Sequence, residues 1–82
     1  MDSERSIRGA TAIVAKALKI LERNLTVDSA IDNVDEWDSL RHMGVISEIE
    51  STIGRSLDID EILEATSISK IGLIIKASSN DV

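Results

Sequence analysis

Apolar residues recur at spacings of three and four along the first part of the chain, and this helical period is the strongest constraint on the fold. The apolar series consists of Ile7, Ala10, Val14, Ala17, Leu18, Leu21 and Leu25. Basic side chains fall on the opposite side of the same helix, namely Arg5, Arg8, Lys16, Lys19 and Arg23. The sequence therefore predicts a long amphipathic first helix that begins at a cap on Asp2 or Ser3.

The composition favours further helices. The 82 residues include one aromatic side chain, Trp37, and no proline, which argues against a β-sandwich or barrel. A hydrophobic content of 43% is too high for a disordered chain, and the length allows one domain. Residues 1–82 are therefore predicted to form a single domain, ordered over about residues 3–77, with a frayed polar tail at residues 78–82.

Charge and cysteine content exclude several classes of function. The net charge of −6 provides no basic surface for nucleic acid or for an anionic membrane, so basic proteins are the expected partners. The chain has no cysteine, which excludes disulfides, thiolate catalysis and cysteine-ligated metal sites. It also has no apolar stretch of roughly 18 residues and no signal-like start, so a soluble cytoplasmic protein is expected. We also expect the protein to be a monomer.

The helical period disappears between residues 26 and 38, which are rich in Asp, Ser and Asn. This segment is predicted to be a long ordered loop held to the core by Val27, Ile31, Val34 and Trp37. A second helix is predicted from Ser39 to about Ile53, with Asp38 as its N-cap and Gly54 as its C-cap.

The second helix has two different faces when it is wound at ~100° per residue. The core face holds His42, Val45, Ile46, Ile49 and Ile53. Leu40, Met43 and Ser47 lie on another face, which leaves two large apolar side chains outside the core near the helix start. An exposed apolar patch of this kind indicates a surface that binds a partner.

Two shorter helices are predicted to complete an all-α bundle of four helices. The third runs near Asp60 to Ala65, where Asp60 and Glu61 suit a helix N-terminus. The last begins at a cap on Ser69, with Ile68 as a hydrophobic staple. Its buried face is predicted to contain Ile71, Ile74 and Ile75.

The run Trp37-Asp38-Ser39-Leu40, placed after a long loop and at the start of the second helix, resembles the Asp-Ser-Leu attachment site of acyl carrier proteins. The similarity extends over nearly the whole chain. It implies a four-helix acyl-carrier-like bundle with a long loop between helices 1 and 2 and a short third helix. It also implies that a separate phosphopantetheinyl transferase esterifies Ser39 with 4′-phosphopantetheine from coenzyme A. The arm's thiol would then hold acyl or aminoacyl cargo as a thioester, and Asp38 would contact the transferase.

Elementary chemistry agrees with this resemblance. A serine in the first turn of a helix places its phosphodiester beside free N–H groups and the positive end of the helix dipole. The chain is then a carrier and not an enzyme. The alternative for Ser39 is an ordinary helix-start serine, in an unmodified interaction module that binds a partner helix through Leu40 and Met43.

A hydrolase triad of Ser39, His42 and Asp38 is rejected, because His42 lies on the core face and no pocket or orienting carboxylate is evident. This histidine is instead predicted to be packed and hydrogen-bonded to loop backbone. A metal site is not supported either, since the chain has a single histidine and dispersed carboxylates.

The residues after Ser39 indicate which class of cargo and which loading enzyme to expect. Leu40, Arg41, Met43 and Ser47 are the predicted partner-binding residues, and Arg41 would repel a basic enzyme surface. In having a Trp before the Asp-Ser-Leu and a His three residues after the serine, the chain resembles stand-alone carriers of specialised pathways. This implies loading by an adenylate-forming ligase and unloading by a downstream acyl or aminoacyl transferase. The alternative cargo is the fatty-acyl chain of general fatty-acid synthesis.

Overall fold

The computed structural model describes residues 3–78, and this part of the chain is an α-helical bundle. It contains α1 (Ser3–Leu18), α2 (Ser39–Ile53), α3 (Ile59–Glu64), α4 (Ile68–Ser78) and a 3-10 turn (Glu22–Asn24). No β-strand occurs within residues 3–78, so the predicted all-α class with four helices is confirmed. The predicted cap at Asp2 lies outside the described residues, and so does the predicted tail except for Ser78, which belongs to α4.

The first helix is shorter than predicted. Lys19 has a left-handed backbone, with φ of 60°, and the N–H of Ile20 donates to the carbonyl of Ala15 at 3.0 Å. This is the six-to-one bond of a Schellman motif, which ends a helix. Leu21 and Leu25, assigned to the helix by their spacing, therefore lie beyond it. The residue that ends a helix in this way is usually glycine, and a lysine at this position does not indicate a helix end in the sequence.

The core lies where α1 packs against α4 and α2. Its fully buried side chains include Val14, Trp37, Val45, Ile49, Ile68 and Ile71. A Cβ atom built on Gly72 of α4 would stand 2.8 Å from Cδ1 of Ile7, so the bare glycine lets α4 approach α1 closely. This packing buries one face of α2 and leaves its start at the surface.

The loop between α1 and α2 is held to the core, but one predicted anchor is wrong. Trp37 is buried, and Ile31 and Val34 are half-buried against the core, whereas Val27 is 45% exposed. Backbone pairing supplies the remaining attachment, because the N–H of Ile31 donates to the carbonyl of Thr66 at 2.9 Å. The loop is thereby tied to the start of α4.

The predicted cap of the last helix is wrong by two residues. Ser67, and not Ser69, accepts the N–H of Lys70 on its hydroxyl oxygen at 3.2 Å. Ile68 is the first residue of α4 and is fully buried, and its N–H donates to the carbonyl of Ser29 at 3.0 Å. The contact with the distant loop therefore decides where α4 begins.

Helix α3 begins one residue before the predicted start. Asp58 is its N-cap and forms a capping box with Glu61, whose N–H donates to the Asp58 carboxylate at 2.8 Å. Glu61 also forms a bidentate ion pair with Arg55, with N–O distances of 2.9 and 2.7 Å, and Arg55 donates to the Ser78 hydroxyl at 3.0 Å. These contacts connect the chain that leaves α2 to α3 and to the end of α4.

The side-chain hydrogen bonds from Arg55, together with the backbone N–H of Asp58, lower the pKa of Glu61 from its ordinary value of 4.5 to about 2. A carboxylate whose folded pKa is lowered stabilises the fold above its unfolded pKa and loses this contribution as the pH falls through the folded value. The contribution of Glu61 is therefore present above pH 4.5 and disappears as the pH falls toward about 2.

Glu61→Gln is expected to make the free energy of unfolding less dependent on pH between about pH 4.5 and about pH 2, because glutamine keeps the capping box but has no charge to lose. Urea denaturation at a series of pH values measures this slope. Glu64→Gln, at an exposed position of the same helix, is the matched control and should follow the wild type. Parallel profiles for the wild type and Glu61→Gln would contradict the prediction.

Candidate functional site

The candidate site is the exposed start of α2. Ser39 is the first residue of the helix and is exposed, as the sequence predicted. Asp38 is the N-cap, with an extended backbone, and its carboxylate accepts the N–H of Arg41 at 2.8 Å. The Asp38 carbonyl accepts the N–H of His42 at 2.9 Å, which starts the regular helical hydrogen bonding. Cap and helix together place the Ser39 hydroxyl at the surface.

Two backbone donors in this first turn remain free. Among residues 3–78, no acceptor pairs with the N–H of Ser39 or of Leu40. Free N–H groups at a helix start carry the positive end of the helix dipole, which stabilises a nearby anion by about 0.3–1 kcal/mol. The first turn can therefore receive negative charge next to the Ser39 hydroxyl.

Arg41 adds a positive side chain to the same turn. Its Nη1 lies 3.4 Å from the Asp38 carboxylate and 3.3 Å from the Glu36 carbonyl. Both partners of the ion pair are about half exposed, at 52% and 54%, so the pair contributes at most about 1 kcal/mol to stability. Because these contacts are long and the side chain is half exposed, a partner protein can still reach the guanidinium and be attracted or repelled by it.

The exposed face of α2 begins beside Ser39. Leu40 is 82% exposed and Met43 is 67% exposed, and we call these two side chains the α2 apolar patch. Ser47 is exposed one turn further along the helix. The predicted exposure of all three residues is confirmed, and their role in binding partners remains a proposal.

Trp37 and His42 meet on the inner side of the helix start. The Trp37 side chain is 1% exposed, which confirms its prediction as a loop anchor. Its indole N–H donates to Nδ1 of His42 at 2.9 Å, and the ring centroids are 6.0 Å apart. The predicted bond from His42 to loop backbone is wrong, since its partner is a side chain. Nε2 of His42 is buried and has no partner among the described residues, which costs about 1–3 kcal/mol.

Comparison with known protein families agrees with this geometry. The family described as "Phosphopantetheine attachment site" matches residues 9–74 of the chain, from α1 into α4 and through the whole of α2. The chain belongs to this family. It is a carrier domain of the acyl carrier protein type, and its prosthetic group is covalently attached 4′-phosphopantetheine. No curated protein and no solved structure matches the chain.

The start of α2 fits the prosthetic group of a carrier domain. Esterification needs a hydroxyl that is open to solvent, and Ser39 offers one. The phosphodiester needs compensation for its negative charge, and the free N–H groups of Ser39 and Leu40 can supply it. When bound, the group supplies the flexible thiol that holds cargo, which the cysteine-free carrier lacks.

His42 cannot act as a general base for Ser39. Because Nδ1 of His42 accepts the indole N–H, the ring hydrogen of the neutral imidazole belongs on Nε2. Nε2 is also inaccessible, so neither nitrogen can remove a proton from Ser39. The geometry thus argues against the hydrolase triad that was rejected from the sequence.

An open cleft of about 390 Å³ lies between α3 and α4, and none of its lining residues belongs to α2. It is lined by Glu61, Glu64, Lys70, Leu73, Ile74 and Ala77. Over the described range, no three potential metal-ligating side chains come together, and no helix has both the length and the apolar character to cross a bilayer.

Sequence reasoning missed the Trp37–His42 hydrogen bond. The signal was present, because Trp37 immediately precedes the N-cap and His42 is the fourth residue of the helix. Side chains at these two positions commonly pack together as a staple. The usual staple is apolar, so the sequence pattern did not indicate a hydrogen bond between these two positions.

Proposed function

We propose that Ser39 of this carrier bears the 4′-phosphopantetheine group, whose thiol carries an acyl or aminoacyl cargo as a thioester. The observation that carries the proposal is the exposed Ser39 hydroxyl at the first position of α2, beside two free backbone N–H groups. The domain presents this cargo to other enzymes and performs no catalysis itself. Its partners work with coenzyme A and activated acids in the cytoplasm.

The modification is a phosphoryl transfer from coenzyme A. The Ser39 oxygen forms a bond to the phosphorus next to pantetheine, and the pyrophosphate P–O bond on the adenosine side breaks. Adenosine 3′,5′-bisphosphate leaves, and the serine proton passes to a base of the phosphopantetheinyl transferase. The transferase also supplies the metal ion, while the exposed Asp38 carboxylate is a contact for its metal or basic residues.

Intact mass spectrometry tests the proposal. After incubation with coenzyme A and a broad-specificity transferase, the wild-type chain should gain the mass of one phosphopantetheine group, and peptide mapping should place it on Ser39. An unchanged mass would contradict the proposal and favour an unmodified interaction module that uses the α2 apolar patch.

We further propose that the cargo belongs to a specialised pathway and is loaded by an adenylate-forming ligase. The support is the charge of α2, which includes Arg41 near its start and only two acidic residues. Glu48 lies 3.5 Å from the Lys16 ammonium, and Glu50 accepts the N–H of Leu57 at 2.8 Å. Glu50 is therefore bonded within the domain and the charge of Glu48 is partly balanced by Lys16, so α2 presents little negative charge to a basic enzyme surface.

Holo protein is expected to be a poor substrate for the malonyl transferase of general fatty-acid synthesis. Arg41→Glu should raise the loading rate roughly three- to tenfold, because it replaces repulsion by attraction at the helix start. The measurement is the malonylation rate, beside that of a standard fatty-acid carrier. Arg23→Glu makes the same charge change in the 3-10 turn and should have little effect. A wild-type rate equal to that of the standard carrier would defeat the specialised-pathway proposal.

A further inference from the structure

Trp37 and His42 lie on either side of Ser39 and are joined by one hydrogen bond. Trp37 stands two residues before the serine, in the loop, and His42 stands three residues after it, in the helix. The 2.9 Å bond from the indole N–H to Nδ1 of His42 therefore connects the end of the loop to the beginning of the helix. We call this contact the Trp37–His42 clasp.

The clasp occupies the positions of a helix staple. With Asp38 as N-cap, Trp37 is the residue before the cap and His42 is the fourth helical residue, the pair whose contact sets the direction in which a chain enters a helix. Ser39 lies between these two residues and is the first residue of the helix. The contact between the two side chains therefore helps to fix how the loop joins the helix at Ser39.

The clasp connects Ser39 to the rigid part of the fold. The Trp37 side chain is almost completely buried in the core cluster that also contains Val45 and Ile49 of α2. On the outer side, the contacts of the first turn within the described residues are the Asp38 cap and the long, exposed contacts of Arg41 with the Asp38 carboxylate and the Glu36 carbonyl. The buried indole is thus the firmest attachment of the chain immediately before Ser39.

Packing alone does not account for a histidine at this position. An apolar side chain of similar volume would fill the space without burying the unpartnered Nε2 atom. What histidine adds is an acceptor at Nδ1, which satisfies the indole N–H. The particular contribution of His42 is therefore the hydrogen bond of the clasp.

We propose that Trp37 and His42 are positioning residues that hold the start of α2 in the conformation in which Ser39 is presented for modification. This inference rests on the proposed attachment at Ser39. When the clasp is broken, the first turn opens part of the time, and only the remaining fraction of molecules can bind the transferase productively. The apparent affinity equals the intrinsic affinity multiplied by that fraction, whereas the rate within the bound complex is unchanged.

His42→Leu and His42→Asn separate the hydrogen bond from packing. Leucine fills the space but accepts no hydrogen bond, while Oδ1 of asparagine is attached to Cγ as Nδ1 is in histidine and can accept the indole N–H. Trp37→Phe removes the donor from the other side. Ile71→Val, in the core of α4, loses stability without touching the clasp.

The first measurement is steady-state modification of the full chain by the transferase. His42→Leu and Trp37→Phe are expected to raise KM for the carrier roughly three- to tenfold, with kcat within about twofold of wild type. His42→Asn should restore KM to near the wild-type value, and Ile71→Val should leave it unchanged. An unchanged KM in His42→Leu and Trp37→Phe, equal effects of leucine and asparagine, or an equal effect of Ile71→Val would overturn the proposal.

The second measurement is amide hydrogen exchange of the unmodified protein, which does not depend on the transferase. The amides of Arg41 and His42 both donate to Asp38, and both should exchange faster in His42→Leu and Trp37→Phe but not in His42→Asn. A wild-type chain that takes up no phosphopantetheine would contradict the proposed function. Identical exchange at these two amides in all variants would instead overturn the clasp itself.

Discussion

Ser39→Ala is expected to abolish the mass increase on treatment with coenzyme A and transferase, while the far-UV circular dichroism spectrum stays helical. The reason is that alanine removes the hydroxyl oxygen that would be esterified but leaves the Asp38 cap and the Trp37–His42 clasp in place. Alanine is also the most favourable residue for a helix. The expected loss of modification is complete, because no other group takes over the role of the serine oxygen.

Ser47→Ala is the matched control for this experiment. Ser47 is an exposed serine on the same helix, but it lies in the interior of α2, far from the free N–H groups of the first turn. This variant should be modified to the same extent as the wild type. Modification of Ser39→Ala at the wild-type level would show that another residue accepts the group, and would remove the assignment of Ser39.

Ile49→Ala is expected to lower the free energy of unfolding by about 2–5 kcal/mol, the largest effect on stability that we predict. Ile49 is completely buried at the centre of the core face of α2. Its truncation removes apolar contacts and leaves a cavity in a packed interior. Because small domains have only about 5–15 kcal/mol of total stability, this loss is a large fraction of it. Urea denaturation followed by circular dichroism measures the change.

Ile59→Ala makes the same substitution at an exposed site. Ile59 is the first residue of α3 and is 69% exposed, so the change should stay within about 0.5 kcal/mol. The comparison isolates burial from the loss of side-chain atoms, since the two variants delete the same groups. Equal destabilisation by the two substitutions would contradict the assignment of the core face.

The two predictions together describe how α2 serves a carrier domain. Its inner face, which includes Val45, Ile46 and Ile49, supplies the buried surface that holds the helix against α1. Its outer face keeps Leu40 and Met43 at the surface beside Ser39. Substitutions on the inner face should therefore change stability, and substitutions on the outer face should change contacts with partner enzymes.

The amino-acid sequence by itself determined the boundaries and the two faces of α2. The Asp38 carboxylate caps the helix through the N–H of Arg41, and Gly54 ends it with a left-handed φ of 76°. Such signals act between residues a few positions apart, so they can be identified in the sequence. The spacing of apolar residues likewise predicted the burial of Ile49 and the exposure of Met43 correctly.

Only the tertiary structure decided the features that depend on distant residues. The start of α4 is set by the bond from the N–H of Ile68 to Ser29, across 39 positions of sequence. Lys19 adopts a conformation that lysine seldom takes, and the clasp pairs a buried indole with an imidazole whose other nitrogen has no partner. Each depends on how the chain packs as a whole, because an unfavourable local conformation or an unpaired group persists only where the surrounding packing compensates for it.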